Sequence, residues 1–295
     1  GDQMWLNKTI LELMGFDFDH GGLFVGNTAP MAGGTKEDAR VLVRCGQEDT
    51  FLDSLSDTLY QGARAIYLQN LPDEWHMQPV GQDLGALTMN ALSLLYETLI
   101  GRTPEFFEFV SVRAEGVFRQ FRNKSFAAEN LYQLKKQVNN TTQRNETDEL
   151  SKILHDLLRY RIEKDLISGA LAVKDLPERW NAEMKDLIGL EPKTAAEGPL
   201  QNPDWFTGRF GFIPSNTLSH AIAAELYAKM SDENSTLADD IKHGDLSFTG
   251  DWLKDNIHSK GRSIDALQLV KDTTGKELSA KNLLDHLERR YLKDQ

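Results

Sequence analysis

FLDSLSDTLYQGARAIYLQNLPDEWHMQPVGQDLGALTMNALSLLYETLIGRTPEFFEF, residues 51–109, is the stretch whose reading decides the fold. It writes two helices joined by a connector punctuated with proline and glycine. Asp53 or Ser54 stands where a cap is needed for the first, and Leu55, Leu59 and Ile66 fall near one face. The second runs from about Leu84 to Ile100, with Gly101 as its expected stop. By pattern alone both are amphipathic core helices. The residues that carry chemical information are Tyr60, Gln61, Arg64 and Asn90.

Positions 60, 61 and 64 stand at i, i+1 and i+4 of the first helix. That is the spacing of HExxH, where two histidines one turn apart hold zinc and the glutamate beside the first acts as general base. The pentad here is Tyr60-Gln61-Gly62-Ala63-Arg64. A protonated tyrosine is a poor ligand, and the guanidinium of arginine has no free lone pair. A glutamine amide cannot accept a proton as a carboxylate does. From these side chains alone the segment is not a metal site.

The surrounding frame resembles the carboxypeptidase Taq family of zinc metallocarboxypeptidases, whose pattern is roughly LHExGHALYEQ, then GxxxHESQSxxYE, then GR. This chain has LYQGARAIYLQ followed by MNALSLLYETLIGR, and it keeps Leu59, Gly62, Ala65, Tyr67, Gln69, Ser93, Tyr96, Glu97, Gly101 and Arg102. Arg64 and Asn90 are 26 positions apart, the family's interval between its second zinc histidine and its zinc glutamate. The resemblance equates Tyr60 and Arg64 with the zinc histidines, Gln61 with the general base and Asn90 with the third ligand. It therefore implies a degenerate HExxH, no catalytic residue, no metal ligand and no cofactor, although zinc is expected for the family.

Further segments carry the same resemblance. Ala29-Pro30-Met31 stands for an HPF motif, 31 positions before Tyr60 as in the family. Asp38, Arg40 and Arg44 match a D-x-R-x-T-x-R strand. DELSKILHDLLRYRIEKDLISG (148–169) resembles ADExTYxLHIxxRxEIE, with Arg159 retained and Arg161 in place of a glutamate. GPLQNPDWFTGRFGFIPSNTLSH (198–220) resembles GxLQDVHWxxGxFGYFPxYxLGN, with Asp204 for a histidine, Phe212 for one tyrosine and Asn216 for another. The resemblance runs from about Gly15 to the C-terminus. Family members carry a long helical N-terminal region before this point, and the chain is expected to lack it natively or by trimming.

The expected fold is mainly α, carboxypeptidase-Taq-like, with a small β element near residues 38–46, where DARVLVRCG alternates. Residues 3–15 read as a helix with Trp5, Leu6, Ile10, Leu13 and Met14, and GFDFDHGGLFVGNTAPMAGG after it reads as turn-rich. Helix dominates 104–137, 139–145 is a polar break, 148–169 is a long helix, 171–190 a helical hairpin, and a helix closes the chain. No internal repeat or low-complexity linker appears, so one domain over 1–295 is expected.

With 40% hydrophobic and 26% charged residues, the 295-residue chain is long enough for one large core or two small ones. A net charge of −12 and a pI near 5.1 argue against nucleic acid or an anionic membrane as partner. A lone cysteine, Cys45, read as a small buried strand residue, fits a reducing compartment, and no apolar run reaches transmembrane length. A cytoplasmic protein is expected.

The functional expectation is a non-catalytic pseudopeptidase whose cleft is kept for a peptide or carboxylate ligand or a protein partner, and a homodimer is plausible from the family. Candidate cleft residues are Tyr60, Gln61, Arg64, Asn90, Arg40, Arg159, Arg161, Asp204 and Asn216. Arg64, with Arg40 and Arg159, is suited to a carboxylate; alternatively it pairs with an acid such as Glu97 or Asp204. The alternatives are an active metallocarboxypeptidase releasing C-terminal residues, and a repurposed metal-independent enzyme using Tyr60, Arg64 and Asp204.

Overall fold

The computed structural model describes residues 2–26, 29–45, 50–118 and 126–293. In chain order its main elements are α1 (Asp2–Leu13), β1 (Gly21–Val25), β2 (Met31–Gly34), β3 (Ala39–Val43), α2 (Phe51–Gln69), α3 (Ala86–Leu94), α4 (Pro104–Val117) and α5 (Ala128–Lys136). Then follow α6 (Glu149–Ser168), α7 (Leu176–Leu187), α8 (Pro203–Phe206), α9 (Pro214–Glu233), α10 (Leu237–His243), α11 (Ser247–Asn256), α12 (Ala266–Thr274) and α13 (Lys281–Glu288). The mainly α architecture with a small β element is as the sequence implies. Among the described residues no helix is long and apolar enough to cross a membrane.

By contacts the chain divides into two compact units, residues 1–136 with 220–295, and residues 137–219. The first holds the larger core. Leu55, Leu59, Ala63 and Ile66 of α2 meet Leu92 of α3, Phe106 and Phe109 of α4, and Ile10 and Leu11 of α1 in one buried cluster. Gly62 allows α1 and α2 to approach: a Cβ there would stand 2.4 Å from Leu11 Cδ2. Trp5, read from the sequence as part of the apolar face of α1, is instead 55% exposed.

The β element is a three-stranded sheet in the order β1-β3-β2. β3 runs parallel to β1 and antiparallel to β2. Its alternation buries Ala39, Val41 and Val43 and turns Arg40 outward. The strand at 38–46 is thus found, shortened to 39–43; Gly46 lies outside the described residues. Cys45 follows the strand, half-buried, rather than standing inside it.

β1 (GGLFV) and β2 (MAGG) arise from the stretch that reads as turn-rich. Glycine lowers strand propensity, so neither announces itself locally. The ladder with β3 supplies what the side chains do not.

α2 starts one turn's chemistry earlier than the sequence suggests. Thr50 is the cap: its side chain accepts from Asp53 N–H at 3.1 Å, and Asp53 accepts from Thr50 N–H at 3.3 Å. Asp53 is therefore the reciprocal partner in a capping box, not the cap itself. α3 starts at Ala86, and its continuation, Leu95–Ile100, is a π-helical turn. Gly101 follows with φ −68°, so it does not stop the helix by adopting a left-handed conformation. Its role is steric, since a Cβ would lie 2.4 Å from Leu59 Cδ1.

In the second unit α6 is capped by Asp148, which accepts from Ser151 N–H at 3.0 Å, and ended by Gly169 at φ 78°. Leu158 and Ile162 of α6 pack against Trp180 and Met184 of α7. The segment at 171–190 is a single turn of 3₁₀ helix followed by α7, with Gly189 left-handed after it, rather than a hairpin of two helices. The polar break at 139–145 is well tied: Asn140 donates to Ile188 O at 2.6 Å, and Arg144 pairs with the buried Asp156. Of the helix expected over 104–137, residues 119–125 lie outside the described residues.

Candidate functional site

α2 and α3 bring Tyr60 and Asn90 together. The Tyr60 hydroxyl donates to Asn90 Oδ1 at 3.2 Å. Gln61, 8% exposed, donates through Nε2 to the carbonyl of Pro30, also at 3.2 Å, which fixes α2 to the start of β2. Arg64 lies one turn on from Tyr60, its guanidinium carbon 6.0 Å from the phenol ring centroid. Two buried polar atoms here have no hydrogen-bond partner among the described residues: Gln61 Oε1 and Arg64 Nε.

The acid offered to Arg64 in the same unit, Glu97, is taken elsewhere. Arg102 donates to Glu97 Oε1 from Nη2 at 2.6 Å and from Nε at 3.0 Å, and Thr98 donates to Oε2 at 2.7 Å. Burial alone would raise this carboxyl. The charges of Arg102 and Lys135, with the hydrogen bonds, outweigh burial and hold it at about 2. Arg40 forms an exposed surface pair with Asp38, Nη2 to Oδ2 at 2.7 Å, within its own strand neighbourhood.

The other candidate residues belong to the second unit. Arg159 is 1% exposed, donates to His155 O at 3.0 Å and to Gln201 Oε1 at 2.9 Å, and lies over Trp180 at 4.9 Å. Burial is the main reason its guanidinium is lowered to about 9. Arg161 bridges Glu183 at 2.9 Å and Asp186 at 3.7 Å. Asp204 pairs with Arg209 at 3.4 Å, and Asn216 donates its backbone N–H to Ile213 O in the first turn of α9. Arg159 is thus engaged in holding α6 to α7 and to the loop carrying Gln201.

Sequence reasoning missed Gln69. It accepts from Asp17 N–H at 3.0 Å and donates to Asp17 O at 2.7 Å and His20 O at 3.1 Å, locking the end of α2 to the approach to β1. The retained frame position was a signal, but its partners lie about 50 residues away. Tyr67 is likewise structural: it accepts from Leu84 N–H at 3.2 Å, stacks on His258 at 4.9 Å, and is pushed up to about 12 by burial.

The candidate site is thus a helix pair joined by a tyrosine–asparagine hydrogen bond and set beside a three-stranded sheet in a mainly α fold. The chain belongs to the carboxypeptidase Taq family: the family model described as "Carboxypeptidase Taq (M32) metallopeptidase" matches residues 1–291. It is 31% identical over 291 residues to Carboxypeptidase 1 of Bacillus subtilis, covering 98% of this chain and 57% of that protein. It is 32% identical over 254 residues to Thermostable carboxypeptidase 1 of Thermus thermophilus, covering 86% of this chain and 49% of that protein. The solved Trypanosoma cruzi Metallocarboxypeptidase 1 superposes with a TM-score of 0.92 at 32% identity, over 98% of this chain and 60% of its own. The chain spans about half the length of the curated relatives it matches.

These comparisons correct one expectation. The family is one of metallopeptidases, so the expectation of no cofactor is overturned by the family match. Whether the residues at 60, 61, 64 and 90 fit a metal is a separate question of donor chemistry. Arg64 has no lone pair to give, and the Asn90 oxygen accepts from Tyr60. Among the described residues, no group of three or more His, Cys, Asp or Glu is arranged to hold an ion. These four side chains do not fit a divalent cation.

Proposed function

We propose that this chain engages the carboxyl ends of peptides, in keeping with the carboxypeptidases to which it is related. The observation that carries this reading is the likeness to Carboxypeptidase 1 across 291 residues. The relatives support metal-dependent release of C-terminal residues.

A second reading is supported by the side chains of α2 and α3: peptide ends are bound without being cleaved. Its motive is that a tyrosine–asparagine hydrogen bond and a guanidinium stand at the positions the resemblance equates with the metal ligands.

The deciding experiment is elemental analysis of the purified chain before any chelation, with a carboxypeptidase assay before and after zinc or cobalt addition. Stoichiometric metal with release of C-terminal amino acids supports the first reading. Peptide binding without release supports the second. Neither binding nor release overturns both.

A further inference from the structure

The second unit contains an apolar cavity that takes no part in the site on α2 and α3. It measures about 620 Å³ and is walled by Leu166 of α6, Leu176 of α7, Trp205 and Phe206 of α8, and Phe210, all within residues 137–219. Its wall is held in place. The Trp205 indole donates to Glu163 Oε1 at 2.6 Å and lies nearly parallel to the Phe210 ring, with centroids 6.5 Å apart. Pro177, Pro192 and Pro199, whose rings fix φ, line the same space. Yet much of this apolar surface stays in water: Val173, Leu200 and Phe206, which also line the cavity, are 57–77% exposed. Exposed apolar side chains gathered around one preformed hollow of this size mark a place for an apolar ligand.

The polar part of the lining selects the charge of that ligand. Among the described lining residues Lys193 is the one ionisable side chain, with Asn181 and Thr194 as uncharged polar neighbours. Glu197 accepts from the backbone N–H of Lys193 at 2.9 Å, but the Lys193 ammonium makes no ion pair among the described residues. An unpaired cation beside an apolar hollow, on a chain of net charge −12, is complementary to an anion with an apolar body. We propose that this cavity binds a single-chain amphiphile with an anionic head, of the fatty-acid kind. The chain lies against Leu166, Leu176 and Trp205, and the carboxylate stands beside the exposed Lys193. This assignment is independent of the peptide-end reading above.

The test is calorimetric titration of the full chain with octanoate, decanoate and decyltrimethylammonium, each below its micelle concentration. Decanoate is expected to bind saturably at one site, and affinity to fall about fourfold for each methylene removed. Decyltrimethylammonium is expected to bind about two- to fivefold more weakly than decanoate, and Lys193→Glu to invert that order. Phe206→Asp is expected to abolish decanoate binding with the melting temperature unchanged, because the position is already exposed. If that variant does not fold, Val173→Asp serves in its place. Equal affinity for octanoate and decanoate, or decanoate binding unchanged in Phe206→Asp, overturns the cavity assignment. A head-group order that Lys193→Glu leaves unchanged overturns the role of Lys193. A dimer in sedimentation equilibrium that Phe206→Asp dissociates, with no decanoate bound, assigns the face to a second copy. Co-sedimentation with phosphatidylglycerol vesicles, with no monomeric decanoate bound, assigns it to a membrane surface. Either result overturns the proposal, as does the absence of binding by every probe.

Discussion

The hydroxyl of Tyr60 donates to the side-chain oxygen of Asn90 across 3.2 Å, joining α2 to α3 at the centre of the candidate site. The bond makes these two positions a cross-helix brace, and its worth can be measured. Tyr60→Phe is expected to cost about 1 kcal/mol, the usual net value of one such hydrogen bond. A double-mutant cycle with Asn90→Ala, read by denaturant unfolding, isolates the coupling. Additive single-variant effects would mean the brace contributes nothing.

Gly101 is expected to resist substitution for steric reasons. Its φ of −68° suits any residue, yet an added Cβ meets Leu59 Cδ1 at 2.4 Å. Gly101→Ala should destabilise by about 1–3 kcal/mol, the range for overpacked cores. Combined with Leu59→Ala, itself a costly core truncation, the double variant should lose less than the sum of the two single losses. A neutral Gly101→Ala in thermal melting would refute the steric account.

The Glu97–Arg102 pair joins a buried carboxylate to a half-buried guanidinium, with side-chain exposures of 8% and 18%. Arg102→Met is expected to cost about 3–5 kcal/mol, since it strands a buried carboxylate. The pH sign follows from the lowered carboxyl. Stability from this pair is complete above the ordinary value of 4.5 and is lost as pH falls toward about 2. Glu97→Gln should flatten the stability–pH curve across that window, as read by guanidinium unfolding at a series of pH values.

His258 supplies a second acid-sensitive term at higher pH. Burial, with a smaller contribution from Lys254, lowers its imidazole from 6.5 to about 3. A depressed value means its contribution is complete above about pH 6.5 and is lost as pH falls toward 3. His258→Phe keeps an aromatic ring against Tyr67 and has nothing to protonate. Unfolding free energy measured between pH 7 and 4.5 should fall less in this variant than in the parent. Equal slopes would show that His258 does not titrate with unfolding.

The sequence by itself determined the helix pair and the family. Apolar spacing is local, so α2, α3 and α6 can be read from residues a turn or two apart, and the retained frame around Tyr60, Gln61, Arg64 and Asn90 identified the family. Tertiary structure decided what depends on distant partners. β1 and β2 carry too much glycine to declare themselves and exist because β3 lies between them. Gly101, which looks like a helix stop, is small because Leu59 packs there. Glu97 could have served Arg64, but the turn after Leu94 delivers it to Arg102 instead. Side-chain partners are chosen by distance in space, and a charge pattern along the chain does not record which of two eligible partners arrives first.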